Sequence, residues 1–258
     1  MVRPLTRLTG VLLLVPCLAT ACSAATPTAP PDFPDVAVSS GLDEPVANWM
    51  ISYREEIGAP EFDLLPLPYS QAVDAATAGD VKLIISAADP EANWFITPLT
   101  SDGLAVIVHV DNPVLDLSLE DLRLLFSGGV SNWSELGGAD LAVQPYVPYP
   151  GDDLRLRFEQ AVMGGVRPSG AAYLVPHSRA ARQAVSEDPA GVGFIPATMV
   201  DDSVRAVRIE GVLPGPSTIA DGRYPIRLPI VATAPEEPMA AIRDWLVWLQ
   251  EPGRLPEP

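Results

Sequence analysis

Cysteine and lysine are both scarce in this chain. Of its 258 residues only two are cysteines, Cys17 and Cys22, and Lys82 is the only lysine. Both cysteines precede residue 23, so the remaining chain has no disulfide and no thiol nucleophile. The 33 acidic residues give a formal net charge of −17. Such a surface excludes nucleic acid and anionic lipid headgroups as partners, because both require clustered Lys or Arg.

Residue patterns that carry catalysis are also missing. His109 lies within an apolar run and His177 near a turn, and neither has a metal-binding spacing around it. There is no G-x-S-x-G motif and no glycine-rich phosphate loop followed by lysine. We therefore expect no enzyme, no metal and no cofactor. A cell-envelope enzyme is the last-ranked alternative.

Residues 1–22 have the features of a targeting segment. Two arginines precede the apolar run Leu8–Leu18, and a run of small residues then ends at Cys22. The pattern resembles a bacterial lipoprotein signal with Cys22 as the acylated residue, although Ala19 stands where leucine is more usual. Residues 23–34, rich in Pro, Ala, Ser and Thr, indicate a tether. We expect an exported chain, lipid-anchored to the cell membrane; an uncleaved membrane anchor is the alternative.

Without residues 1–22 the chain has 14 basic and 33 acidic residues, a net charge of −19. From about residue 35, apolar strand patterns alternate with helical ones, which predicts an α/β fold with a largely parallel sheet. The predicted strands lie at 36–38, 62–67, 81–86, 104–110, 142–147, within 188–196 and at 224–233, and the predicted helices at 45–57, 72–78, 119–127, 153–163, 175–185 and 238–250.

The most informative stretch is 112–138, NPVLDLSLEDLRLLFSGGVSNWSELGG. Ser118 and Asp121 form a capping-box-like start, apolar residues follow at helical spacing, and Gly128 ends the helix. The stretch is similar to a run that opens the second lobe in the substrate-binding proteins of phosphate-type ABC transporters. DPAGVGFIP at 188–196 and RYPIRLPIVAT at 223–233 also resemble segments of that family.

The resemblance implies a two-lobed, periplasmic-binding-protein-like (type II) α/β fold with the ligand in a cleft. Residues 35–103 plus 205–258 would form lobe 1, and 104–204 lobe 2, with hinges near 101–104 and 203–206. The implied function is capture of a small solute, an oxyanion or other polar molecule, and its delivery to an ABC permease in the membrane. We expect a monomer.

In this family backbone N–H groups and hydroxyls hold the oxyanion at turns and helix N-termini. The corresponding positions here are Ser39, Ser40 and Gly41, then Ser70, and the helix start at Gly151. Ordinary turn or cap serines are the alternative for all three serines. Ser86 ends the strand after which the family has a buried aspartate; Ala87 follows here instead, and Asp89 comes two residues late.

At the helix start near Gly151 the chain departs from the family pattern. Asp152, Asp153 and Leu154 stand at the family's "SGT" positions, and Pro148 stands where it has arginine. A carboxylate about 4 Å from a bound anion opposes it by ~4 kcal/mol at an effective dielectric constant near 20. We therefore hypothesise that tight phosphate binding is lost and that the cleft suits a cationic or neutral polar ligand.

Three alternatives remain open. Arg155 and Arg157 supply positive charge if they face the cleft, although solvated helix surface is the favoured interpretation of both. Retained oxyanion binding is the second, if Asp152 and Asp153 face solvent. The third is a surface adaptor that uses the binding fold without transport, because a fold does not fix a function.

Overall fold

The structure is a computed structural model, and it describes residues 36–60 and 62–255. The predicted signal segment, the lipid-attachment residue Cys22 and the predicted tether lie outside the described residues. No helix in the described ranges combines the length and the apolar character that a membrane crossing needs.

Strands and helices alternate along most of the described chain, as the sequence predicts. The strands are β1 (Val36–Ser39), β2 (Leu64–Leu67), β3 (Leu83–Ser86), β4 (Phe95–His109), β5 (Asp116–Leu117), β6 (Gln144–Pro148), β7 (Tyr173–Val175), β8 (Gly191–Pro196), β9 (Val204–Ala206), β10 (Arg208–Ile209) and β11 (Arg227–Ala234). The helices are α1 (Asp43–Glu56), α2 (Tyr69–Ala78), α3 (Leu119–Ser127), α4 (Asp153–Phe158), α5 (Ser178–Glu187), α6 (Pro216–Ala220) and α7 (Ala240–Leu249), with short 3-10 turns at Trp133–Leu136 and Ala197–Met199.

One curled sheet of nine strands organises the described chain, in the order β2-β1-β3-β11-β4-β8-β6-β7, with β9 paired to β4. We call β2, β1, β3 and β11 with α1 and α2 the first half, and β8, β6 and β7 with α3, α4 and α5 the second half. The 15-residue strand β4 pairs with both halves, through β11 on one side and β8 on the other. The sheet therefore continues from one half into the other through one long strand.

The prediction of a largely parallel sheet is wrong. The pairs β1–β2, β1–β3, β6–β7 and β6–β8 are parallel, but β11 is antiparallel to β3 and β4, and β4 is antiparallel to β8 and β9. The sheet is mixed because β11, near the end of the chain, returns between β3 and β4, and because β4 runs antiparallel to β8 and β9. Alternating patterns within single strands do not reveal such a return.

The predicted helix of the signature stretch is confirmed as α3. Ser118 and Asp121 form the predicted capping box, and Gly128 ends the helix with φ of 83°. The first part of β4, residues 95–103, was not predicted. Many of its positions are exposed or half-buried, and Pro98 and Gly103 interrupt the apolar pattern. The predicted helix 153–163 is α4 followed by a π-helical turn at Glu159–Met163.

Three buried aromatic rings fix the position of α4 against α3 and β8. Phe158, at the end of α4, stacks on Phe194 of β8 with ring centroids 4.2 Å apart and meets Phe126 of α3 edge-on at 4.6 Å. Arg123 of α3 donates from Nε to the Val162 carbonyl oxygen, 3.0 Å away. Aromatic pairs of this geometry add to the stability that burial provides. The N-terminus of α4, where the unusual acids lie, is therefore held by a packed core.

Candidate functional site

Three chain segments converge at the start of α4. Ser39 ends β1, Ala87 follows β3 directly, and α4 begins at Asp153. Because β1 and β3 are adjacent parallel strands, their carboxyl ends open at the same edge of the sheet. In open α/β sheets this edge is where ligands bind. Hydrogen bonds from the first two segments end on the third, so the first half meets the second half here.

The Asp153 carboxylate is the acceptor on which these segments converge. It is fully buried and accepts hydrogen bonds from the Ser39 hydroxyl, from the Ala87 backbone N–H at 2.6 Å and from the Leu154 backbone N–H at 2.9 Å. Hydrogen bonds to an ionised acceptor are stronger than those between neutral groups. A hydroxyl, a loop N–H and a helix N-terminal N–H are the donor types that hold a tetrahedral oxyanion. Here they hold a side chain of the protein itself.

Asp152 is the N-cap of α4 and is also buried. Its Oδ1 accepts from the backbone N–H groups of Leu154 at 3.0 Å and Arg155 at 3.4 Å. The backbone donors at this helix start are therefore shared between two carboxylates of the chain.

Burial and mutual repulsion leave this pair of acids with unusual proton affinities. Burial, and then the charge of Asp153, raise the pKa of Asp152 to about 7, against the opposing effect of its two backbone hydrogen bonds. Burial also raises the pKa of Asp153, while the donors from Ala87, Ser39 and Leu154 lower it. Burial raises both pKa values, so the two acids titrate as one coupled pair.

Leu154 fills the remaining space beside Gly41, in the loop that follows β1. Its side chain is buried, and a Cβ added at Gly41 would overlap its Cγ and Cδ1 atoms. The Gly41 carbonyl oxygen accepts a 3.0 Å hydrogen bond from Ser178 at the start of α5. Gly41 is therefore in contact with two helices of the second half. Only a residue without a side chain fits at this close approach.

The other predicted positions are placed differently. Ser70 is exposed, and its backbone N–H donates to the Gly151 carbonyl oxygen at 3.3 Å. The backbone N–H of Ser40 donates to the Leu67 carbonyl oxygen. Gly151 has φ of 87°, and a Cβ there would lie 2.7 Å from the Ser70 hydroxyl oxygen. The Ser86 hydroxyl is buried and has no hydrogen-bond partner among the described residues. The structure thus brings Ser39, Gly41, Asp153 and Leu154 together, with Ser70 beside Gly151.

The favoured interpretation of Arg155 and Arg157 as solvated helix surface is wrong. Arg157 donates from Nε to the Ala87 carbonyl oxygen at 2.6 Å and pairs with Asp89 at 2.8 Å. Arg155 pairs with Glu159 at 2.7 Å and donates to the Pro148 carbonyl oxygen at 3.1 Å. The side chain of Arg155 is only 16% exposed and that of Arg157 only 17%. Each guanidinium group is therefore hydrogen-bonded within the chain to one backbone carbonyl oxygen and paired with one acid.

Two participants were not found from the sequence, Ala87 and Ser178. Ala87 contributes its backbone N–H, and no pattern of side chains predicts such a contact. Ser178 begins α5 directly after His177, whose Nδ1 accepts from the Ala180 N–H as the N-cap. A His-Ser pair before a helical pattern marks a helix start, but not which carbonyl the serine reaches.

A substitution at Gly41 tests the packing between the two halves. Gly41→Ala should lower the free energy of unfolding by about 1 to 3 kcal/mol, because its methyl group overlaps Leu154 in a packed interior. The loss should shrink in a Leu154→Ala background, where the space is open. Urea denaturation of the four chains of this double-mutant cycle measures the coupling.

Gly170→Ala is the matched control, because Gly170 is exposed and nothing lies within 4 Å of an added Cβ. Its free energy of unfolding should stay within about 0.5 kcal/mol of the parent chain. Equal losses from Gly41→Ala in the parent chain and in the Leu154→Ala background would contradict the contact.

Stability should depend on pH through Asp152. Because its pKa is raised to about 7 in the folded chain from 3.8, the folded chain binds a proton that the unfolded chain releases between about pH 4 and 7. Stability from this group is therefore present at low pH and declines as pH rises through that window, by up to ~4 kcal/mol. Asp152→Asn keeps a good N-cap and removes the titration. The difference in unfolding free energy between parent and variant, measured from pH 4 to 8, should follow this decline; parallel curves would exclude it.

Comparisons with known proteins agree with this architecture. Residues 28–252 match the model of a family described as the PBP superfamily domain. The phosphate-binding protein PstS of Bacillus subtilis (strain 168) is 30% identical over 125 residues, which are 48% of this chain and 41% of that protein. The chain thus aligns with well under half the length of this curated relative.

Two solved structures show the same fold. A phosphate ABC transporter substrate-binding protein with bound phosphate from Clostridium perfringens superposes with a TM-score of 0.78 at 22% identity, covering 83% of this chain and 91% of that one. An ABC-type phosphate transport receptor from Vibrio cholerae gives 0.69 at 20% identity, covering 84% and 93%. The predicted fold class and the predicted resemblance to phosphate-type binding proteins are confirmed. The chain belongs to the PBP superfamily.

Proposed function

We propose that this chain is an exported, lipid-anchored solute-binding protein of an ABC importer, and that its solute is not phosphate. One observation carries the second part: the Asp153 carboxylate accepts the hydrogen bonds of Ser39, Ala87 and Leu154 that an oxyanion would need. The relatives described as phosphate-binding or phosphate-transport proteins support the importer assignment.

Asp153 acts as a built-in substitute for the anion. A free phosphate at these donors would have to displace a fully buried carboxylate that is already hydrogen-bonded. If Asp153 stayed close by, its charge would oppose the phosphate by ~4 kcal/mol at a distance of about 4 Å. Displacement and repulsion act in the same direction, and the arginines of α4 are paired elsewhere. Tight phosphate binding is therefore lost.

The sequence supports the proposed location. The predicted signal at 1–22 and tether at 23–34 would place the folded part outside the cell membrane, attached through a lipid on Cys22. The partners in this proposal are a small polar solute and an ABC permease. The net charge of −19 without residues 1–22 suits a monomeric folded part that is repelled by anionic lipid headgroups while the lipid anchor holds it at the membrane.

We also propose that the lobes are residues 35–103 plus 205–258 and 104–204, and that they close about β4. Contacts between the two halves favour the closed arrangement: Ser39 and Ala87 to Asp153, Ser178 to Gly41, and Arg157 to Ala87 and Asp89. These contacts also favour a second candidate, a surface adaptor that presents the closed form without any solute. The adaptor differs from an importer component because no small molecule would stabilise it.

Removal of the internal carboxylate should open an oxyanion site. In Asp153→Ser the Ser39 hydroxyl and the Ala87 N–H lose their acceptor and become available to phosphate, while the Leu154 N–H still has Asp152 as an acceptor. Isothermal titration with orthophosphate should show binding weaker than about 1 mM for the parent chain and at least ~10-fold tighter binding for the variant. Asp74→Ser, an exposed acid of α2, is the control and should behave as the parent.

Two results would contradict this proposal. A sub-micromolar dissociation constant for phosphate in the parent chain would show that Asp153 does not block the site. Equal affinities of the parent and Asp153→Ser would show that the carboxylate is not what excludes phosphate.

The lipid anchor has its own test, because the chain contains two cysteines near its start. Cys22→Ala should abolish lipid labelling and release the protein from the membrane fraction of a bacterial host that expresses the full chain. Cys17→Ala is the matched control and should stay in the membrane fraction. Retention of the Cys22→Ala protein with an unprocessed N-terminus would instead support an uncleaved membrane anchor.

A further inference from the structure

A cavity lies beside β4, apart from the hydrogen bonds around Asp153. It is a cavity of about 270 Å³ between α1, residues 100–102 of β4 and the 3-10 turn at Ala197–Met199. None of the residues that bind the Asp153 carboxylate lines it. Since α1 belongs to the first half and the 3-10 turn directly follows β8, the cavity lies between elements of both halves.

The walls of this cavity carry negative charge only. Asp102 and Glu44 supply two carboxylates, and none of the described residues that line the cavity is Lys or Arg. The Glu44 carboxylate is paired with Arg179 of α5 at 3.2 Å. Asp102 is 5% exposed and forms no ion pair within the ranges that the structure describes. Burial raises the pKa of Asp102 against the hydrogen bonds that its carboxylate accepts, so a cation in the cavity would stabilise the ionised form.

The partners of Asp102 limit the kind of cation that fits. Its Oδ1 accepts from the Gly103 N–H at 2.7 Å, and its Oδ2 accepts from the Thr198 hydroxyl at 2.7 Å and the Thr198 N–H at 3.2 Å. These bonds already use much of its acceptor capacity. A cation without N–H groups gains the Coulombic attraction and needs no further acceptors.

The remaining wall favours an alkylated cation over a metal ion or a primary amine. Trp49 contributes an aromatic side chain, and Pro45, Met199 and Ile230 contribute apolar surface. Aromatic rings attract quaternary ammonium groups, and apolar walls contact their methyl groups. The overall negative charge raises the local concentration of cations further.

We propose that this cavity binds a small quaternary ammonium solute, with Asp102 as counter-ion and Trp49 as aromatic wall. The inference rests on the proposed function, because it names the class of solute that an importer component with a filled anion site would take. It places that solute at the junction of the two halves, where binding stabilises closure.

Choline and 3,3-dimethylbutan-1-ol provide the test. The alcohol has the same shape as choline but carries a neutral carbon in place of the cationic nitrogen. Isothermal titration of the full folded chain should give binding of choline at least ~10-fold tighter than that of the alcohol. Asp102→Asn and Trp49→Leu should each weaken choline binding ~10-fold or more, whereas Trp49→Phe should retain most of it. Asp111→Asn, whose side chain is 87% exposed, should bind choline as the parent does.

Equal binding of choline and the alcohol, or no binding of choline to the parent chain, would overturn the proposal even if the variants fail to fold. Failure here is distinguishable from failure of the proposed function. The latter is decided by orthophosphate in the same preparation. Phosphate binding overturns the proposal that the anion site is filled, whereas the absence of both choline and phosphate binding overturns the quaternary ammonium site and leaves the filled anion site standing.

Discussion

The contact of the Asp153 carboxylate with Ser39, Ala87 and Leu154 is the interaction on which the rest of this structure depends. It joins the ends of two neighbouring strands in the first half to the start of α4 in the second half. Because the carboxylate is fully buried, its hydrogen bonds compensate a large desolvation cost. The same atoms therefore bring the two halves together and occupy the donors that would define an oxyanion site. The surroundings hold this contact in place, since the aromatic cluster of Phe126, Phe158 and Phe194 packs against α4 and leaves it little freedom to rearrange.

Much of the fold was predictable from sequence because local rules agree in it. The capping box of Ser118 and Asp121 and the helix end at Gly128 were both expected. The mixed sheet was not, because the position of β11 between β3 and β4 depends on contacts between residues far apart in the chain. The first part of β4 was missed for a related reason, since Pro98 and Gly103 interrupt its pattern.

The candidate site was also only partly predictable from the sequence. Asp152 and Asp153 were noticed because they depart from a family pattern, and their position at a helix start follows from local sequence. That Asp153 accepts hydrogen bonds from the first half could not be inferred, because one of its donors is the backbone N–H of Ala87, 66 residues away. Arg155 and Arg157 were misjudged because their acceptors are backbone carbonyls and acids that their spacing does not reveal.

The fold fixes where the halves meet, and the side chains at that junction determine what can be held between them. The most direct measurement is a crystal structure of the chain grown in a high concentration of orthophosphate. The account predicts the Asp153 carboxylate within hydrogen-bond distance of Ser39, Ala87 and Leu154, with no phosphate at these donors. A phosphate bound to these three residues, with Asp153 turned away from them, would contradict it.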